Sequence, residues 1–193
     1  MGVRVLVFEK RMEALAADSA AGGLAATDIG LGFESLLVAN QAMVFSIALN
    51  FLRDRELAAE LAQDVFLALH RNLKSIQSAD HARHWLRRVT SQRCIDSTRR
   101  AKVRGEVALE AAWDVATPAD SADVVARTRM ARLVASLPEK LRLVIILRFQ
   151  EDLDVPDIAE ALGIPPRTVR GHLDQALELL REKEQRWTRS TKN

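Results

Sequence analysis

At 193 residues with 48% hydrophobic side chains, the chain is long enough for one ordinary domain or two small ones, and its single cysteine excludes an intrachain disulfide or a cysteine-built metal site. Its apolar stretches read as broken by charge within about ten residues, short of the roughly 20 that a spanning helix needs, so no membrane insertion is expected. The net charge of +2 hides an internal division: 83–104 carries Arg83, Arg87, Arg88, Arg93, Arg99, Arg100, Lys102 and Arg104 against one acid, Asp96, whereas 105–123 carries Glu106, Glu110, Asp114, Asp120 and Asp123 with no Lys or Arg.

In chain order, residues 1–30 read as a mobile extension, rich in Ala and Gly and without helical period. Its apolar run at 5–8 is followed by Glu9, Lys10, Arg11 and Glu13, which does not suit a secretory signal, and a cytoplasmic location is expected. Leu36, Leu37, Val44, Ile47, Ala48 and Phe51 then recur at helical spacing and predict a helix over 33–52. Asp54 is placed to cap a second helix with Leu57, Leu61, Val65, Leu69 and Leu73 on its apolar face and Glu56, Glu60, Gln63 and Asp64 displayed elsewhere. A third helix is expected from Asp80 or His81, burying Trp85, Leu86, Val89 and Ile95, with Cys94 as a small buried hydrophobe. These three helices predict a bundle over 31–104.

The acidic stretch 105–123 is too poor in apolar residues to pack and reads as a linker. Helical pattern resumes over 124–136, stops at Leu137-Pro138, and restarts with Pro138 at a helix N-terminus, where its missing amide costs little. A largely buried helix is expected over 139–149, then helices over 156–162 and from 166 to about 183, separated by Gly163, Ile164 and Pro165 and followed by a tail at 186–193. No strand alternation is convincing. The expected fold is all-α, a three-helix N-terminal bundle and a four-helix C-terminal domain over 124–185 joined by the acidic linker.

Within the second domain, 157–170 has the grammar of a helix-turn-helix. Ala159 lets two helices cross closely, Gly163 supplies the tight turn, and Ile158, Leu162, Ile164, Val169 and Leu173 close the interface. The second helix is left free to enter a major groove. This segment, together with the upstream Leu137-Pro138 start and the apolar helix that follows, resembles the fourth region of extracytoplasmic-function sigma factors of the sigma-70 family. The N-terminal half matches independently: Ala59-Glu60-Leu61-Ala62-Gln63-Asp64-Val65-Phe66-Leu67 resembles the family's polymerase-binding helix, and Trp85-Leu86-Arg87-Arg88-Val89 with Asp96, Arg99 and Arg100 resembles its promoter-melting helix.

The resemblance implies a chain that binds core RNA polymerase and promoter DNA, directs promoter recognition, melting and initiation, answers to an anti-sigma factor, needs no cofactor or metal, and is not itself an enzyme. Its implied polymerase-binding residues are Glu60, Gln63, Asp64 and Phe66. Physics supports part of this separately, because Glu60, Gln63 and Asp64 share one helical face. The stripe Arg83, Arg87, Arg88, Arg93, Arg99, Arg100 and Arg104 offers cations that position DNA by its phosphates without reading bases. By resemblance, the loop 75–83 would hold a flipped base, with Trp85 beneath it or simply in the core.

In the recognition helix the chain departs from the family. His172, Gln175 and Leu177 stand where bases are common and Asp174 repels phosphate, leaving Arg167, Thr168, Arg170, His172 and Gln175 as the candidate DNA contacts. Two other readings remain open on the sequence: a stand-alone helix-turn-helix regulator, and a sigma-like interaction protein that titrates an anti-sigma factor.

Overall fold

The computed structural model describes residues 32–103 and 122–190, and among them every regular element is helical. The chain forms two compact units that divide between Asp96 and Ser97. The extension at 1–30, Arg104 and most of the linker lie outside the described residues.

In the first unit, α1 (Phe33–Leu52) and α2 (Arg55–Asn72) form an antiparallel hairpin, followed by a 3-10 turn (Leu73–Ser75) and the long α3 (Ala79–Val103), which runs past Asp96 into the second unit. The hairpin turn is only two residues long. Arg53 takes a left-handed conformation at φ 63 and donates its N–H to Leu49, while the Asp54 carboxylate accepts the N–H groups of Glu56 and Leu57 at 2.8 and 3.0 Å. Asp54 thereby satisfies two of the donors that every helix start leaves open. The antiparallel pairing is fixed at both ends, with Phe33 edge-on to His70 at 5.1 Å and the Arg55 guanidinium 5.5 Å from the Phe45 ring centre.

α1 corrects one expectation from sequence. From Ser35 to Leu52 it carries no charged residue, so it is long and apolar enough by composition to cross a membrane. Its seven fully apolar buried positions, Phe33, Leu36, Leu37, Val44, Ile47, Ala48 and Phe51, face the protein interior. The buried Asn40 among them donates to the Leu36 carbonyl at 2.8 Å. This is the core helix of the bundle.

The buried stripe of α2 is Ala58, Ala59, Leu61, Ala62, Val65, Phe66 and Leu69. Leu57, expected inside, is 45% exposed. A row of residues four apart outruns the 3.6-residue turn and drifts around the helix, so a stripe centred on Ala62 and Val65 leaves its first leucine outside. α3 begins one residue before the expected start because Ser78 caps it: the Ser78 hydroxyl accepts the His81 N–H at 3.0 Å, and His81 Nδ1 in turn accepts the Gln77 N–H at 3.2 Å. Its wholly buried positions are Ala82, Leu86, Thr90, Ser91 and Cys94, whereas Trp85, Val89 and Ile95 are only half-buried. Thr90 tolerates burial because its hydroxyl donates to the Leu86 carbonyl at 2.7 Å.

In the second unit, α4 (Ala122–Ala135), α5 (Glu139–Phe149), α6 (Val155–Leu162) and α7 (Pro166–Ser190) supply the four expected helices. α4 starts two residues earlier than expected and α7 runs seven residues past its expected end at Lys183. The extension of α7 is anchored on α4: Arg129 lies 4.0 Å from the Trp187 ring centre and 3.5 Å from Glu184, and Lys183 reaches the Ser136 carbonyl at 3.4 Å. A core of Leu137, Leu141, Ile145 and Ala176, flanked by Val134, Leu173, Leu177 and Leu180, joins α5 to α7. α5 is the largely buried helix expected, with Leu141, Leu143, Val144, Ile145, Ile146 and Leu147 inside, and its last residue, Phe149, stands 65% exposed.

Candidate nucleic-acid interface

The helix-turn-helix is built by two helix ends. Asp154 opens α6 by accepting the Asp157 N–H at 3.0 Å, and Gly163 closes it in the left-handed region, φ 64 and ψ 35. The N–H of Gly163 meets the Glu160 carbonyl at 3.2 Å and that of Ile164 meets the Ala159 carbonyl at 3.1 Å, the paired bonds of a Schellman end. Ile158 and Val169 are fully buried between the helices and Ala159 nearly so, while Leu162, Ile164 and Leu173 are half-buried. With Val169, Leu173, Ala176 and Leu180 turned inward, the opposite face of α7 presents Arg167, Arg170, Gly171, Asp174 and Gln175 to solvent. Thr168 and His172 sit at its border, half-buried, and His172 Nδ1 is shielded from solvent.

Two arginines nearby have structural partners instead. Arg148 donates to the Leu153 carbonyl at 2.9 Å and fixes the loop into α6, and Arg142 donates to the Leu137 carbonyl at 3.1 Å. Burial pulls the Arg142 guanidinium below its ordinary value, against the opposing charge of Glu139.

In the first unit, Glu60 and Asp64 are exposed on α2 and Gln63 is half-buried beside them. Phe66 is fully buried, so in this fold it supports the helix from within and presents no surface to a partner. On α3, Arg83, Arg88, Arg99 and Arg100 are exposed, and Arg87 and Arg93 are half-buried. Arg88 and Arg99 lie on one outer face with Gln92 and Asp96, spacing that returns to the same side of a helix. Arg93 turns to α2 and pairs with Asp64 at 3.2 Å, so an acid expected to face one partner is held by a base expected to face another. Sequence spacing carried no signal for that pair, which is 29 residues apart. The loop expected at 75–83 is shorter than that, since Leu73–Ser75 is a 3-10 turn and α3 already runs from Ala79.

The sequence matches the family models of Sigma-70 region 2 over residues 36–104 and of Sigma-70, region 4 over residues 127–180. It is 26% identical over 144 residues to the ECF RNA polymerase sigma factor SigM of Mycobacterium tuberculosis, covering 75% of this chain and 72% of that protein. It is 25% identical over 152 residues to the ECF RNA polymerase sigma factor SigW of Bacillus subtilis, covering 72% of this chain and 81% of that one. Among solved structures, CnrH in complex with the cytosolic domain of CnrY shares the fold, with a TM-score of 0.60 and 21% identity over 89% of this chain and 96% of CnrH. Two sigma-70 regions in order on one chain, the second carrying the helix-turn-helix built above, make this protein a member of the sigma-70 family in its extracytoplasmic-function branch, a subunit that binds core RNA polymerase and directs it to promoters.

Proposed function

We propose that this sigma factor divides its work among three surfaces: the acidic edge of α2 (Glu60, Gln63, Asp64) meets core polymerase, the outer face of α3 holds promoter DNA near the melted element, and α7 reads the upstream element. The unit limits we assign are 31–104 for the first surface pair and 124–185 for the reader, with 105–123 as linker. The protein works in the cytoplasm beside polymerase and catalyses no reaction of its own, the chemistry being the polymerase's. The observation that carries this reading is the placement of exposed Glu56, Glu60 and Asp64 on α2 and of exposed Arg83, Arg88, Arg99 and Arg100 on α3, with Asp64 paired to Arg93 between the two helices.

On α3 the DNA contacts we assign are Arg83, Arg88, Arg99 and Arg100, with Arg87 and Arg93 contributing from half-buried positions and Arg104 continuing the stripe. On α7 they are Arg167, Thr168, Arg170, His172 and Gln175. The absence of Lys and Arg over residues 171–180 of α7 favours a second partner, a protein that holds the sigma factor in check. CnrH, similar in fold, was solved with the cytosolic domain of CnrY, and the partner we assign to this chain is an anti-sigma factor.

The test is Asp64→Lys, set beside Arg93→Ala. Both break an exposed ion pair worth at most about 1 kcal/mol, so both variants should fold. Only the first places like charge against a basic partner, and its affinity for core polymerase should fall roughly tenfold while Arg93→Ala stays near wild type. Equal affinity of Asp64→Lys and wild type in a titration with core enzyme would remove the α2 edge from the interface.

A further inference from the structure

Three glycines lie among the described residues, and two have an evident reason to be there. Gly32 precedes α1 as its cap, and Gly163 holds the left-handed conformation that ends α6. Gly171 has neither excuse. It sits inside α7, takes no positive φ, and a Cβ built on it would meet nothing within 4 Å. Glycine inside a helix is less stable than alanine there, and no neighbour within the protein requires its bareness. What remains is the outside. Gly171 is exposed at the centre of the α7 face, with Arg167 one turn before it, Arg170 adjacent, and Asp174 and Gln175 one turn after.

We infer that Gly171 is a specificity-determining residue, the point at which the α7 backbone comes directly against a thymine methyl of the upstream promoter element. The inference rests on the reading that α7 enters the major groove there. Without a Cβ the helix can approach a base edge closer by about 1.5 Å, the length of one carbon–carbon bond. The amide groups of a helix interior are occupied by the helix itself, so the bare position offers only Cα hydrogens. Among the base edges of the major groove, the thymine methyl is the one that is matched by an apolar surface rather than by a donor or acceptor.

The experiment uses holoenzyme assembled from core polymerase and the full chain. A promoter duplex is selected from randomised DNA, then resynthesised with deoxyuridine replacing each thymidine of the upstream element in turn. For wild type, loss of one particular methyl should weaken binding about fourfold, the value of one buried carbon. Gly171→Ala should bind the original duplex about tenfold more weakly, the loss expected of a mismatched base pair, and should be indifferent to uracil at that position. The substitution favours the helix, so the variant will melt no lower than wild type and misfolding cannot mimic the result. Wild-type binding by Gly171→Ala, or a promoter in which no thymine methyl matters, overturns the inference. Arg167→Ala and Arg170→Ala separate the two levels. If they weaken upstream binding while Gly171→Ala does not, only the role of Gly171 is lost; if they too leave it unchanged, the reading of α7 falls and the inference with it.

Discussion

The same substitution, glycine to alanine, should change the stability of the second unit in opposite directions at two positions eight residues apart. At Gly163 the backbone is left-handed, φ 64, and the added methyl would touch nothing within 4 Å. The cost is therefore purely conformational, about 1–2 kcal/mol for an L-residue in that region. It is partly offset because alanine also restricts the unfolded chain, by about 0.4–1 kcal/mol, leaving a net loss near 1 kcal/mol. At Gly171 the space is equally open, but the backbone is helical, and alanine should gain about 1 kcal/mol. For a domain of this size 1 kcal/mol moves the melting temperature by about 4–8 °C. Thermal melts of the full chain, followed by far-UV circular dichroism, should show the transition of the second unit falling by that amount for Gly163→Ala and rising by it for Gly171→Ala. A neutral or stabilising Gly163→Ala would refute the Schellman end as the reason for that glycine. Shifts of the same sign would refute the argument as a whole.

Three further outcomes are expected. Burial pushes the Cys94 thiol up to about 12, so the folded state keeps a proton that the unfolded chain releases above about pH 8.5; stability from this group is full below that pH and is lost towards pH 12, by about 1.4 kcal/mol per unit at most. Urea unfolding at pH 8 and pH 10 should show this loss in wild type, and Cys94→Ala should be the less pH-sensitive of the two; equal slopes would mean that the thiol is not shielded. Asp54→Ala removes both capping bonds of α2 and should lower stability by about 1 kcal/mol, measurable as a reduced denaturation midpoint, while Asp54→Asn should retain most of it. Arg88→Ala and Arg99→Ala should each reduce the slope of log affinity against log salt by about 1 in promoter binding by holoenzyme, and unchanged slopes would take the outer face of α3 away from the phosphates.

Much of this protein was decided locally and was therefore legible in the sequence. The bounds of α1 and α5 follow from an apolar period interrupted by Asp54 in one case and introduced by Pro138 in the other. Gly163 ends α6 because few residues other than glycine accept its conformation, and Asp54 caps α2 with its own carboxylate. The all-α class, the order of the two regions and the helix-turn-helix needed nothing beyond such signals.

Depth and partnership were decided by the tertiary structure. Asn40 and Thr90 look like surface residues, yet they are buried because each returns its polar group to a carbonyl four residues back in its own helix. Leu57 looks like core and is exposed, and Phe66 lies in a stretch resembling a polymerase-binding helix and is fully buried, since the facing of α2 is set by what packs against it and not by its composition. The length of α7 depends on Arg129 reaching Trp187 and Glu184 across more than fifty residues of chain. Asp64 and Arg93, each legible as a charged surface residue, become one ion pair only when α3 is laid beside α2. A sequence specifies which residues can be apolar, cap or turn, but which charges meet is set by the packing of helices distant along the chain, and that is a property of the fold.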